Sequence, residues 1–374
     1  MIIAGESSGE LYGALLTKAI RSLWPRVKVI GVGGERMKEA GALVFAEVSS
    51  AFGLLEAVSA FRKVKMTFNK TIDMMKRVMP DVLILIDYPD FNLRVARVAK
   101  KLGIKVLYYV SPQVWAWRKG RIKTIGKLVD KIAVILPFEE AIYKRRGIPC
   151  EFVGHPIYEE IESSLLSTAR EELGIKEGTP VLSVLPGSRP NELDRLLPVL
   201  ICFVRMFKKE YPNYHILLPF APNLDIQRYR TDIREFEAEG VQILFGGSIF
   251  ALSASDMAVI ASGTATLQAS FLETPMVVIY KVSPISYPLG RLIIKVKHIS
   301  LVNLLLERLV VPELIQRRAN AKNIMIELRR LMSDKSYRDG MISAFRELKN
   351  IYSEKKPSLR VAEIVGEIAG WQGQ

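Results

Sequence analysis

The residues of this chain best suited to chemistry gather in a few short stretches. Gly5-Glu6-Ser7-Ser8-Gly9-Glu10-Leu11-Tyr12-Gly13 directly follows an apolar strand pattern and leads into the helical pattern ALLTKAIRSL. Small residues at such a turn let a ligand approach a helix amino terminus, which makes Gly5, Ser7, Ser8, Gly9 and Glu10 candidate phosphate or sugar contacts. The plainer reading is a tight strand-to-helix turn. The spacing is not GxGxxG, and no acidic residue follows the next strand where a ribose would need one, which argues against a dinucleotide.

DVLILIDYPDF places Asp87 and Asp90 at the carboxyl end of an otherwise apolar strand. A carboxylate there needs a reason. Asp87 could be a general base that takes a proton from an attacking hydroxyl, or a metal ligand, and either aspartate could cap the helix NLRVARVAKKL. The DxxD spacing differs from the DxD of metal-dependent sugar transferases. LPGSR at Leu185 to Arg189 follows another apolar strand: Gly187 and Ser188 offer backbone and hydroxyl donors, and Arg189 a guanidinium fork for phosphate. ASGTATLQAS repeats the logic, with Ser262, Gly263, Thr264 and Ala265 between a strand end and a helix and Gln268 one turn in. Two such loops in one half suggest one diphosphate.

Two further stretches have bland readings of nearly equal weight. YYVSPQVWAWRKGRIKTI mixes Tyr108, Tyr109, Trp115 and Trp117 with Arg118, Lys119, Arg121 and Lys123, which suits sugar faces, phosphates or bases but also a closed core edge. Phe61 to Arg77 carries six basic residues among Phe61, Val64, Met66, Phe68, Met74 and Met75, as an interfacial helix on anionic lipid does, or a surface helix with a solvated basic face. His155, His215 and His298 are scattered, and Cys150 and Cys202 stand apart, so neither a metal cluster nor a disulfide framework is indicated.

Positioning these loops falls to short apolar runs alternating with helical patterns. Val27 to Gly34, Asp81 to Tyr88, Lys105 to Pro112 and Lys131 to Phe138 read as buried parallel strands in the first half. Val181 to Ser188, His215 to Pro219, Val241 to Phe245, Met257 to Ala261 and Met276 to Tyr280 repeat the alternation in the second. The fold class is therefore α/β, two doubly wound Rossmann-like domains with ligands at the carboxyl ends of the strands. Boundaries are expected at residues 1–162, a first Rossmann-like domain, and 163–356, a second, with the break near Ser163. Residues 357–374 form an amphipathic helix on Leu359, Val361, Ile364, Val365 and Ile368, packing back on either half.

At 374 residues, two domains are the default. Lys and Arg number 53 against 39 Asp and Glu, and the net charge of +14 favours a polyanionic partner: phosphorylated substrate, anionic lipid or nucleic acid. The amino terminus lacks the apolar core of a signal peptide, and charges interrupt every run approaching the about 20 residues a membrane span needs, so any membrane contact is expected to be peripheral. The chain begins within its first strand, and a few upstream residues are expected.

Taken in order, AGESSGELYGA, DYPDFNLRVA, YYVSPQVWAWR, FVGHP, LPGSR, ASGTATLQA and ISLVNLLLERLVVPEL resemble the motif series of the lipid-A-disaccharide synthase family over nearly the whole chain. The resemblance implies a GT-B fold with the active site in a cleft between its domains, a membrane-facing acceptor domain first and a UDP-sugar-binding domain second. It implies inverting transfer from UDP-2,3-diacylglucosamine to 2,3-diacylglucosamine 1-phosphate, without cofactor or metal, on the inner face of the inner membrane of a Gram-negative cell. By matching position, Asp87 is the base, Arg189 a diphosphate ligand and Asn303 a residue required for activity, with the anionic membrane surface as partner and no nucleic acid. A homodimer is compatible with the chain. Glu10, Gln268 and Val302 depart from the family pattern of Asp, Glu and Pro; at Gln268 an amide replaces the carboxylate that commonly holds the ribose. Rival readings are a UDP-N-acetylglucosamine 2-epimerase, a polyprenyl-linked glycosyltransferase and, from another class, a nucleic-acid-binding protein.

Overall fold

VLILI at Val82–Ile86 is aliphatic at every position, so as a strand it must be covered on both faces, and all five residues are buried. In the computed structural model this strand lies inside a seven-stranded sheet of β1 (Ile2–Ala4), β2 (Ile30–Val32), β3 (Leu43–Ala46), β4 (Val82–Ile86), β5 (Lys105–Tyr109), β6 (Lys131–Val134) and β7 (Cys150–Phe152). The order is β3-β2-β1-β4-β5-β6-β7. A second sheet has β8 (Val181–Leu185), β9 (His215–Phe220), β10 (Val241–Phe245), β11 (Met257–Ala261), β12 (Met276–Tyr280) and β13 (Glu313–Ile315), in the order β10-β9-β8-β11-β12-β13. Every pairing is parallel. The structure describes residues 1–47, 56–114, 120–162, 166–283 and 297–371, with backbone alone at Glu6, Ser7 and 56–61.

The sheets belong to two compact units, Met1–Pro156 with Lys355–Gln374, and Ile157–Glu354. The division falls after Pro156, the first residue of helix Pro156–Glu162, whose Tyr158 packs edge-on against Phe271 of the second unit at 5.3 Å. The break expected near Ser163 falls outside the described residues. Helix Pro357–Ala369 groups with the first unit, where it packs along helix Glu6–Leu23 and buries Val361, Ile364 and Val365. Trp24 and Trp371 meet edge to face at 5.2 Å, and a side chain at Gly366 would collide with the Trp24 ring.

Polar contacts complete that docking. Arg360 forks onto Glu151 of β7, and Lys131 of β6 reaches the same carboxylate at 2.8 Å. The Arg360 hydrogen bonds, with those of Lys131 outweighing the opposing burial, lower the Glu151 pKa from 4.5 to about 2. A carboxyl whose folded pKa is depressed contributes stability above its unfolded pKa, and that contribution fades as pH falls. Urea titrations should therefore show a wild-type stability loss between pH 4.5 and about 2 that Glu151→Gln flattens, the variant being the less stable protein at neutral pH.

Candidate functional site

In each unit the strand order reverses at one place, between β1 and β4 in the first sheet and between β8 and β11 in the second. Loops leaving the carboxyl ends at such a reversal turn to opposite faces and open a crevice for ligand. The four loops singled out from sequence leave those four strands.

In the first unit, the Gly5 loop follows β1 and Asp87 follows β4, which pairs directly with β1. The two loops nearly touch: a Cβ on Gly5 would lie 2.6 Å from Tyr88 Cβ. Asp87 and Tyr88 both hold the left-handed conformation, at φ 46° and 43°, and Val110 at the end of β5 holds it at φ 59°. Non-glycine residues there are strained, a β-branched valine most of all, and persist only where the surroundings fix them. The fixing groups are identifiable. Asp87 N–H donates to the Val110 carbonyl at 3.2 Å, and Val110 N–H to Ala133 at 3.1 Å. The Asp87 carbonyl accepts from Tyr108 Oη and Asn92 Nδ2, both at 2.7 Å, and Asn92 also donates to Ile86. Tyr108 and Asn92 are fully buried, and burial raises the Tyr108 pKa well above its ordinary value, so the phenol remains a donor. The half-buried Asp87 carboxylate is thus carried on a backbone held by Tyr108 and Val110 at the end of β5 and by Asn92 of the helix that follows.

Other sequence candidates take different places. Tyr88, not an aspartate, is the N-cap residue of helix Pro89–Lys101, which corrects the capping reading; Asp90 is exposed and pairs with Arg121. Glu10 accepts from Arg36 N–H at 2.9 Å, so its carboxylate serves the start of helix Glu35–Glu39. Gly9 backs onto Ile86 from the first turn of helix Glu6–Leu23, Ser8 is half-buried beside it, and only the backbone of Ser7 is described. Trp115 lies outside the described residues. His155 is buried edge-on to Tyr12 at 5.9 Å, and burial lowers its pKa to about 3, so the ring is neutral. The Cys150 thiol is pushed up to about 12 by burial.

In the second unit, Gly187 has φ 110°, and a Cβ there would lie 2.5 Å from Glu192 Oε2. Only glycine lets the loop pass so close. Glu192 in turn accepts from Ser188 N–H at 3.2 Å, so that amide holds the loop and is not the open donor the sequence suggested. Arg189 is the N-cap residue of the 21-residue helix Pro190–Glu210, its exposed guanidinium 3.7 Å from Glu192. Across the reversal, Ser262 donates twice within the protein, N–H to Ile279 at 3.0 Å and Oγ to Ile299 at 2.8 Å. The donors this loop presents are then the amides of Gly263, Thr264 and Ala265, which precede or open helix Ala265–Phe271 and have no partner inside it. Gln268 accepts from Ser248 Oγ at 3.1 Å, leaving its Nε2 hydrogens as donors.

Asn303 is fully buried, and its amide is saturated. Nδ2 donates to Val311 at 2.8 Å and to Glu313 Oε1 at 2.9 Å, while Oδ1 accepts from Val310 N–H at 2.7 Å and Val311 N–H at 2.9 Å. A primary amide has two hydrogens and two lone pairs, and all four are used. In this structure the side chain's hydrogen bonds all go to protein. Asn92, Glu192 and Glu313 were not among the sequence candidates; a short polar residue one turn after a strand end is the signal that could have found Asn92. Among the described residues no group of three or more His, Cys, Asp or Glu side chains is placed to hold a metal ion.

The sequence model of the family "Lipid-A-disaccharide synthetase" matches residues 1–364. A lipid-A-disaccharide synthase of Syntrophus aciditrophicus is 43% identical over 334 residues, covering 88% of this chain and 86% of that protein. Among solved structures, an S. aureus MnaA-UDP co-structure superposes with TM-score 0.70 at 12% identity, covering 100% of this chain and 97% of its own. The calicheamicin glycosyltransferase CalG4 does so with TM-score 0.61 at 14% identity, covering 100% and 98%. These likenesses show the two-domain, GT-B-like α/β fold.

The close approach at Gly5 makes a firm demand. Gly5→Ala should cost about 1–3 kcal/mol by forcing Tyr88 aside, read as a lower urea midpoint, and adding Tyr88→Gly, which removes both colliding atoms and the left-handed strain, should restore most of it.

Proposed function

We propose, from the premise that this chain belongs to the lipid-A-disaccharide synthase family, that Asp87 is the general base and that the two loops of the second unit hold the departing diphosphate. The chain is a glycosyltransferase of lipid A biosynthesis, taking a UDP-sugar donor and a sugar-phosphate acceptor. The finer reaction is UDP-2,3-diacylglucosamine plus 2,3-diacylglucosamine 1-phosphate giving lipid A disaccharide 1-phosphate and UDP.

The observation that carries the reading is Asp87 itself, a carboxylate at a strand end on a left-handed backbone that Tyr108, Asn92 and Val110 hold in place. The acceptor 6-hydroxyl gives its proton to Asp87 as its oxygen attacks the donor anomeric carbon from the face opposite the phosphate. The bond from that carbon to the phosphate oxygen breaks, the configuration inverts, and the electron pair leaves with UDP. Negative charge then grows on the diphosphate, where Arg189 and the amides of Gly263, Thr264 and Ala265 supply fixed positive ends. Gln268 offers its Nε2 hydrogens to the ribose without the charge assistance of a carboxylate.

We further propose an anionic membrane surface as partner. No helix of the described residues is long and apolar enough to cross a membrane. Helix Glu56–Val78 buries Thr71 and Met75 while exposing Lys63, Lys65, Lys70, Lys76 and a 71% exposed Met66. Beside it lies a cavity of about 580 Å³ with Phe68, Ile72, Val98 and Leu102 on its walls and Asn69, Asp73, Lys76 and Lys101 as its polar lining. Apolar walls rimmed by two lysines against one aspartate suit an acylated ligand with an anionic head.

Turnover is measured as acceptor-dependent UDP release in detergent. Asp87→Asn should fold and bind UDP as the wild type does yet lose at least about 100-fold in turnover, the usual scale of a general base; near-normal turnover removes Asp87 from that role. Arg189→Ala should weaken UDP binding and turnover together, and unchanged affinity would move the diphosphate elsewhere. For the membrane, Lys63→Glu with Lys70→Glu should weaken partitioning onto phosphatidylglycerol vesicles by about 1 kcal/mol per charge, with sedimentation onto neutral vesicles unaffected.

A further inference from the structure

We propose that Glu313 is a positioning residue for donor binding: its carboxylate sets the Ile299–Ser300 backbone, and through it the Ser262 to Ala265 loop. The proposal rests on the placement of the donor diphosphate at that loop.

The chain of contacts is continuous. Glu313 sits in β13, paired to Val278 of β12, with Val278 N–H donating to the adjacent Pro312 carbonyl at 2.9 Å. Its carboxylate accepts from Ile299 N–H at 3.1 and 3.0 Å, from Ser300 N–H at 2.9 Å and from Asn303 Nδ2 at 2.9 Å. The carbonyl of the same Ile299 accepts the Ser262 hydroxyl at 2.8 Å. Ser300 is fully buried and caps helix Leu301–Leu305 by accepting from Asn303 N–H at 3.2 Å. Residues 299 to 303 are thus clamped from two sides, by Glu313 and by the Asn303 bonds to Val310 and Val311.

Charge makes Glu313 the centre of this clamp. Three N–H groups converge on one carboxylate, and bonds to an ionised acceptor are about twice as strong as neutral ones. An amide in its place keeps one acceptor oxygen but turns its hydrogens toward the Ile299 N–H, a donor opposed to a donor, and lacks the charge that strengthens the other bonds. Release of Ile299 removes the acceptor that orients Ser262, and the loop amides lose their fixed aim. Preorganised donors are what make charge stabilisation effective, so a loop free to move binds the diphosphate less tightly. Proton removal by Asp87, on the other unit, is not on this path.

The test compares Glu313→Gln, Glu313→Asp and Ser262→Ala with wild type, reading UDP affinity by calorimetry and donor KM against kcat by UDP release. Glu313→Gln should raise the UDP Kd and the donor KM by about tenfold or more, with kcat changed much less. Ser262→Ala should weaken UDP binding in the same sense, and adding it to Glu313→Gln should bring little further loss, because both act on one path. Glu313→Asp keeps the carboxylate and should recover part of the affinity; it also carries the test if Glu313→Gln does not fold. Unchanged Kd and KM in both Glu313 variants, or losses that simply add with Ser262→Ala, would overturn the role of Glu313. If Arg189→Ala and Ser262→Ala both leave UDP affinity untouched, the diphosphate placement itself fails; if Arg189→Ala weakens it and the Glu313 variants do not, only this proposal fails.

Discussion

The direction of the strands is the constraint on which the rest depends. In both sheets every pairing is parallel, so each strand is followed by a crossover and every carboxyl end lies on the same edge. Where the order reverses, successive crossovers pass to opposite faces and the two loops beside the reversal are left next to each other. The sequence then has to fit two turns into one small space. Gly5 beneath Tyr88 is the result in the first unit, a position where any Cβ would strike the neighbouring loop; in the second, Gly187 makes the equally close approach within its own turn, to Glu192. The strain at Asp87, Tyr88 and Val110 has the same origin, since chains leaving adjacent parallel strands must turn at once to clear each other.

Inner strands were legible because burial on both faces demands an apolar residue at every position: Met257–Ala261 and Met276–Tyr280 have the bounds read from sequence, as does Val241–Phe245 at the sheet edge. The strands that went unread, β3, β7 and β13, all lie at sheet edges and run three or four residues. An edge strand has one neighbour and often one solvated face, so its pattern carries little signal. The last helix was visible from its apolar stripe, but a stripe says that a face is buried and not against what; Trp24 and Gly366 answer that only in three dimensions. The loops at Gly5, Asp87, Leu185 and Ala261 were found because small and charged residues there interrupt apolar strands. What sequence could not supply was which polar groups in them are already engaged.

That engagement separates residues that hold from residues able to touch. Asn303 and the amide of Ser188 are committed within the protein, as are both donors of Ser262, although residue type alone marks each as a ligand contact. Counting donors and acceptors is what leads the proposal for the second unit to a few backbone amides, Arg189 and the Gln268 amide nitrogen. Backbone amides carry no side-chain entropy to lose on binding, so a loop fixed by buried side chains and lined by main chain is a rigid anion site. Buried polar residues are thus placed one step behind the surface they shape.

The docking of helix Pro357–Ala369 against helix Glu6–Leu23 also orders events in time. The first unit is made of the beginning and the end of the chain, with the whole second unit synthesised in between. Emerging from the ribosome, residues up to 156 have their sheet but not the helix that covers Trp24 and pairs with Glu151. The second unit is contiguous and has all its residues while that helix is still unmade. Unit one is therefore begun first and finished last. Until residues 357 to 369 are made, the face of helix Glu6–Leu23 that will receive them stays bare, an apolar surface whose exposure lasts as long as some two hundred residues take to be added.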